Sequence, residues 1–128
     1  MDSAKDLIPK DKGDEETAGR LVGCSYEEVK PIVGELLTWI QDGNWPIAHL
    51  VGRFLSTIAG NLTSEIVTIL QSNDGAWKYQ TLRWLVEDHP LVPEVRSELL
   101  RLINTPSRDD IEEDIPELAQ ELLRRDGG

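Results

Sequence analysis

The sequence predicts an all-α protein, a single right-handed stack of antiparallel helix pairs with about six or seven helices. Two observations carry this. Residues 35–41, Glu-Leu-Leu-Thr-Trp-Ile-Gln, return at 65–71 as Glu-Ile-Val-Thr-Ile-Leu-Gln, with Glu, Thr and Gln kept and the other positions apolar. Asp42-Gly43-Asn44-Trp45 then returns as Asp74-Gly75-Ala76-Trp77. A unit written twice, with turn chemistry at the same place, is the pattern of stacked helical hairpins. No segment alternates with period two for long enough to form a sheet.

The elements follow in order. Residues 1–13 are polar and read as an extended arm; Leu7, Ile8 and Pro9 are its docking residues, and the helical domain spans 14–125. Residues 14–22 form a short helix with an acidic start, which suits the positive end of the helix dipole. Its inner face is Ala18, Leu21 and Val22, and Gly23 ends it. Ser25-Tyr26-Glu27-Glu28 is a capping-box pattern. It opens a helix whose apolar positions are Val29, Ile32, Val33, Leu36, Leu37 and Ile40, with a kink or restart at Pro31. After the Asp42-Gly43-Asn44 turn, Pro46 falls in the first turn of the next helix, which runs to about Ile58 and buries Ile47, Leu50, Val51, Phe54 and Leu55. The second pair covers 62–71 and 75–87, with Ile66, Val67, Ile69, Leu70, Trp77, Leu82, Leu85 and Val86 inside. His89-Pro90 breaks the chain, a helix follows over 93–104, and Thr105-Pro106-Ser107 is the next break. The last helix runs through Leu123, with Pro116 as a place to restart, on a stripe of Ile111, Ile115, Leu118 and Leu122, with an acidic outer face.

Charge limits the partners. The chain has 128 residues, 24 acidic and 13 basic side chains, and a formal net charge of −11. Such a surface repels phosphates, so nucleic acid and anionic membranes are disfavoured, while a basic protein remains admissible. Acidity is also an ordinary device for solubility. The single Cys24 excludes an intramolecular disulfide and fits a reducing compartment. With no apolar run of membrane length and no signal-peptide core at the start, the expected location is cytoplasmic, and the sequon Asn61-Leu62-Thr63 carries no weight.

Three blocks carry a family resemblance: Leu7-Ile8-Pro9-Lys10-Asp11-Lys12 with Asp14, the stretch Leu36 to Ala48, and Trp77-Lys78-Tyr79. They resemble a small, largely microbial family known only as a domain of unknown function (number 5071). The resemblance covers nearly the whole chain and is most specific from Trp39 to Ala48. It implies a HEAT-like all-α fold and no particular activity. HEAT-like domains more broadly resemble protein-binding scaffolds, and a few small, acidic, helical immunity proteins that neutralise bacterial toxins share that style.

Four Trp stand against one Phe and two Tyr. Trp45 and Trp77 hold equivalent places, and with Trp39 and Trp84 they could form an aromatic platform. Equivalence across the repeat favours packing of each hairpin turn instead, which leaves Trp84, matched by Gly52, as the more specific position. Asp42 and Asp74 could be paired carboxylates for acid–base work, or turn caps before glycine. Glu35 and Glu65 could be catalytic, or could cap the facing helix or pair with Arg53 or Arg83. His49 lies one helical turn after Trp45, and His89 precedes Pro90; their separation makes a poor metal site. Cys24 beside a helix N-terminus could carry a lowered pKa. No phosphate-loop or dinucleotide fingerprint occurs, and Arg53, Lys78 and Arg83 are too few cations for a nucleic-acid face.

The leading expectation is a non-enzymatic protein-binding module, without cofactor or metal and monomeric or weakly self-associating. It would use Trp45, His49, Trp77, Lys78, Tyr79 and Trp84 to take a basic partner. The alternative is a small-molecule binder or enzyme using Glu35, Asp42, Asp74 and His49 as acid–base groups in a groove between the central helix pairs.

Overall fold

The computed structural model describes residues 4–126; the first three residues of the predicted arm lie outside the described residues. Among these residues the chain is all-helical, with no strand. It forms two compact units, Met1–Asn61 and Leu62–Gly128.

In the first unit, a 3-10 turn at Ala4–Leu7 leads to α1 (Glu15–Gly19). The Asp14 carboxylate caps α1 by accepting from Thr17 N, and it reaches back to accept from Lys10 N at 2.9 Å. Those N–H donors, Lys10 first, hold the Asp14 carboxyl below its ordinary range. The helix is shorter than the predicted 14–22. The chain turns at Arg20, so Leu21 is buried but Val22 leaves the helical face and is 78% exposed, not inside as expected. Gly23 reverses the chain at φ 86°, a conformation that glycine adopts without strain.

Ser25 then opens α2 (Tyr26–Val29) with the expected capping box: Ser25 Oγ accepts from Glu28 N, and Glu28 Oε1 accepts from Ser25 N. Pro31 acts as predicted. The helix tightens to a 3-10 turn over Lys30–Ile32 and restarts as α3 (Val33–Thr38). Val29, Ile32, Val33, Leu36, Leu37 and Ile40 are all buried. The second helix of this pair, α4 (Ala48–Thr57), begins later than expected. Pro46 lies in the preceding turns, and Ile47 N is taken by Lys12 O at 3.1 Å. α4 packs on α1 and α3, burying Val51, Phe54 and Leu55 while Leu50 stays half-buried.

In the second unit, α5 (Thr63–Leu70) packs on α6 (Gly75–Thr81) and on α7 (Pro93–Asn104). Arg101 of α7 donates to the orphan Leu70 carbonyl at 2.8 Å, closing the C-terminus of α5. α6 runs into a π-helical turn over Leu82–Val86, closed by Glu87 N donating to Leu82 O across five residues. The expected α-helix over 75–87 is thus interrupted. Leu82, Leu85 and Val86 are buried as predicted, whereas Val67 and Trp77 are only half-buried.

The last helical segment divides into α8 (Arg108–Glu112) and α9 (Ile115–Arg125), restarting one residue before the expected Pro116. Asp114 between them is left-handed, φ 58°, and Pro116 follows in the first turn of α9. A proline there cannot continue the preceding turn. Ile115, Leu118 and Leu122 face inward on α7, but the break swings Ile111 off their stripe and leaves it 58% exposed, correcting its place in the expected core.

α8 is held against α6. Asp109 accepts from Gly75 N, and a Cβ on Gly75 would stand 2.8 Å from the Asp109 carbonyl oxygen. Gly34 in α3 has open space around it. Gly75→Ala should therefore destabilise the chain by about 1–3 kcal/mol. Gly34→Ala should stabilise it by about 0.4–1 kcal/mol through the unfolded state. Urea unfolding of the two variants beside the wild type checks both signs.

Candidate binding surface

The residues singled out by the repeat take local roles. In the first unit, Asp42 Oδ1 accepts from Asn44 N at 2.8 Å, an Asx turn. Trp45 follows, half-buried, its ring edge-to-face with half-buried Trp39 at a centroid distance of 5.7 Å and 66° between planes. His49 is exposed on the first turn of α4, and Glu35 is exposed on α3. In the second unit, Asp74 Oδ1 accepts from Trp77 N at 3.0 Å and caps α6. Both Asp residues therefore serve the turn or the cap that precedes a tryptophan. The paired-carboxylate reading finds no support in these bonds, since each is the one that the local backbone requires.

Trp77, Tyr79 and Trp84 are half-buried in α6 and the π turn. Tyr79 is fully engaged: its hydroxyl accepts from Arg83 Nε and Nη2 at 3.2 and 3.1 Å, and the guanidinium carbon lies 5.2 Å from its ring centroid. Arg83 Nη1 continues to Glu87 at 2.6 Å, and Arg125 Nη1 meets the same Glu87 oxygen at 3.1 Å.

Lys78, expected on the binding face, is withdrawn into the protein. It is 3% exposed, and its ammonium lies 2.7 Å from Asp110, itself 1% exposed. Neither charge would be tolerated there alone. The second oxygen of Asp110 accepts from Ser107 N, and its own N–H donates to Ser107 Oγ, a capping box that opens α8. Burial pushes the Asp110 carboxyl upward, but the Lys78 ammonium and the Ser107 N–H outweigh it and hold the group below its ordinary 3.8. An amphipathic reading of α6 could not reveal this, because the partner lies 32 residues away.

Cys24 also departs from expectation. Burial and the nearby Glu28 charge raise its thiol pKa instead of lowering it, and Sγ donates to Arg20 O at 3.5 Å. Among the described residues, no group of three or more His, Cys, Asp and Glu side chains is placed to hold a metal ion, and no helix is long and apolar enough to cross a membrane. Two cavities are lined by residues that the repeat did not mark. One, of about 420 Å³, is bordered by Lys5, Lys10, Asp14, Thr17 and Arg20 in the first unit. The other, of about 270 Å³, lies after the π turn in the second unit, around Glu87, Asp88 and His89. In the sequence, the only trace of the second was the His89-Pro90 break.

Among the described residues, fold and surface together define an all-helical, acidic chain of short helices, four of them opened by side-chain caps. The family resemblance is confirmed: residues 7–123 match the model described as Domain of unknown function (DUF5071), and the chain belongs to that family. A search of curated proteins finds no match.

The buried pair makes a measurable difference. Lys78→Met strands the Asp110 charge and should cost about 3–5 kcal/mol in urea unfolding. Lys78→Met combined with Asp110→Leu should recover part of that, less about 1 kcal/mol for the lost α8 cap. Because the folded pKa of Asp110 is depressed, its contribution is complete above 3.8 and fades as pH falls through the lower folded value. The wild type should therefore lose stability below pH 3.8 more steeply than Asp110→Asn.

Proposed function

We propose that this chain is a non-enzymatic protein-binding module whose acidic surface takes a basic partner, in the manner of an immunity-type protein neutralising a toxin. The supporting observation lies in the second unit, where fourteen acidic side chains stand against seven basic ones. Six of those seven cations are committed internally. Lys78 pairs with Asp110, Arg83 with Glu87, Arg96 with Asp126, Arg101 with Glu98, Arg108 with Glu112, and Arg125 with Glu87 and Glu121. Asp88, Glu94, Glu113, Asp114 and Glu117 are exposed and outside these pairs. The unit therefore turns carboxylate toward solvent, the field that draws in a basic partner and rejects an acidic one.

Half-buried Trp77, Tyr79 and Trp84 in this unit, and Trp45 beside exposed His49 in the first, supply amphipathic contact area of the kind that anchors interfaces. The packing of α3 on α4 and of α5 on α6 supports a HEAT-like reading of the helix pairs within each unit. The free thiol of Cys24 supports a reducing, cytoplasmic setting. The module acts as a monomer or weak homo-oligomer.

A tagged pull-down from host lysate at low and high salt, followed by titration of the purified partner, tests the reading. The partner should be basic, and its affinity should fall by at least about tenfold between 50 and 500 mM salt, as an electrostatically steered complex requires. An acidic partner, or an affinity indifferent to salt, would overturn it.

A further inference from the structure

The cavity beyond the π turn is the place where an acidic surface becomes a built pocket. We propose that it receives one long cationic side chain, Lys or Arg, from the basic partner; this deepens the function proposed above and rests on it. The floor is apolar: Val86 and Leu122 are buried and Leu91 half-buried. The rim carries the carboxylates of Glu87, Asp88 and Asp126. A floor of this kind accepts an aliphatic stem, and such a rim accepts an ammonium or guanidinium.

The rim charges are not equally available. Asp126 is bonded to Arg96 at 2.6 Å. Glu87, 19% exposed, uses Oε1 for both Arg83 and Arg125. Its Oε2 takes no part in either bond, and exposed Asp88 enters none of the ion pairs. Arg125, the one cation lining the cavity, is itself neutralised by Glu87 and Glu121. The local balance stays negative.

The size is compatible with a single side chain. The volume of about 270 Å³ falls below the roughly 300–1,000 Å³ of small-molecule sites. It suits one residue of a partner whose remaining surface meets the exposed carboxylates, the arrangement of an interface anchor.

Two features of the chain leading to the pocket also cost stability. The π turn at Leu82–Val86 forfeits regular helical bonding just before Glu87, and the hydroxyl of fully buried Thr81 has no hydrogen-bond partner. Departures of this kind collect where a chain positions a functional group. Here the π turn delivers Val86 to the floor and Glu87 to the rim.

The test uses the full chain, isotope-labelled, with a lysine-rich peptide, its arginine counterpart, and the lysine peptide with every side chain acetylated, all at low salt. Resonances of residues 86–91 and 122–126 should shift with the two cationic peptides and stay in place with the acetylated one. Asp88→Asn and Glu87→Gln should each weaken binding by about tenfold, the loss of one close charge pair. Glu113→Gln, outside the pocket, should change it by less than about twofold. Asp88 is exposed, so its variant keeps the test valid if Glu87→Gln perturbs folding. Shifts confined to Glu112–Glu117, or equal binding of the acetylated peptide, would overturn the pocket. The partner reading would still stand if the purified partner is basic and salt-sensitive. A partner that is acidic or salt-indifferent would sink that reading whatever the peptides do.

Discussion

The second unit is organised around a charge pair that would be intolerable if either member were alone. Lys78 and Asp110 lie 2.7 Å apart, almost wholly out of water. Desolvating two ions costs several kcal/mol each, and their attraction repays this only when the remaining donors and acceptors are also satisfied. The second oxygen of Asp110 is satisfied by Ser107 N, inside the box that starts α8. One carboxylate thus closes a tertiary contact and a secondary-structure terminus together. With only five residues, α8 would not persist as an isolated helix. Its stability is borrowed from α6 through Asp110 and through Asp109, which takes Gly75 N. Glycine at 75 is the local condition for that approach, because any side chain would meet the α8 backbone.

Once α8 is pinned, the rest of the C-terminal chain has few choices. Pro116 forbids a continuous helix through residue 112, and left-handed Asp114 makes the corner. α9 then lies on α7 with Ile115, Leu118 and Leu122 buried, each contributing about 1.5–3 kcal/mol. Ile111 is sacrificed to the geometry. It would have extended the same stripe, but burying it would require the helix that Pro116 and the Asp110 anchor jointly prevent.

How far the fold could be read from sequence follows from the range of each interaction. The box at Ser25, the restart at Pro31, the span of α7 and the inner face of residues 29–40 rest on contacts within a few residues, and all were legible. Val22 and Ile111 were misplaced because a helical stripe was continued past the residue where the helix stopped. The π turn leaves no periodic trace, since its single extra residue keeps Leu82, Leu85 and Val86 inside. At the candidate surface, the repeat marked Asp42 and Asp74 correctly as turn formers, yet the two act differently. One accepts from the second residue on and the other from the third, and only the second starts a helix at once. Lys78 looked like a surface cation because no carboxylate lies within a helical turn of it on α6; its partner 32 residues later was beyond any local rule. The pocket of residues 86–91 and 122–126 joins two distant segments and was equally hidden.

The exposed ion pairs call for a different explanation from the buried one. Pairs such as Arg108–Glu112 and Arg20–Glu16 are well solvated and contribute about 0–1 kcal/mol each to stability. Their larger effect is on the field outside the protein. A cation held against its own carboxylate cancels one charge at short range and cannot reach out to an incoming anion. The carboxylates left over set the potential within the screening length of about 8 Å at physiological salt. A chain with the same net charge but with its cations displayed would present a mottled surface, welcoming to either sign. With six of its seven cations paired to its own carboxylates, the second unit carries an excess of unpaired negative charge, and such an excess steers encounters without fixing who arrives. On the proposed reading, selectivity would then come from shape at close range, for which the described residues of this unit include half-buried tryptophans and the pocket beside the π turn.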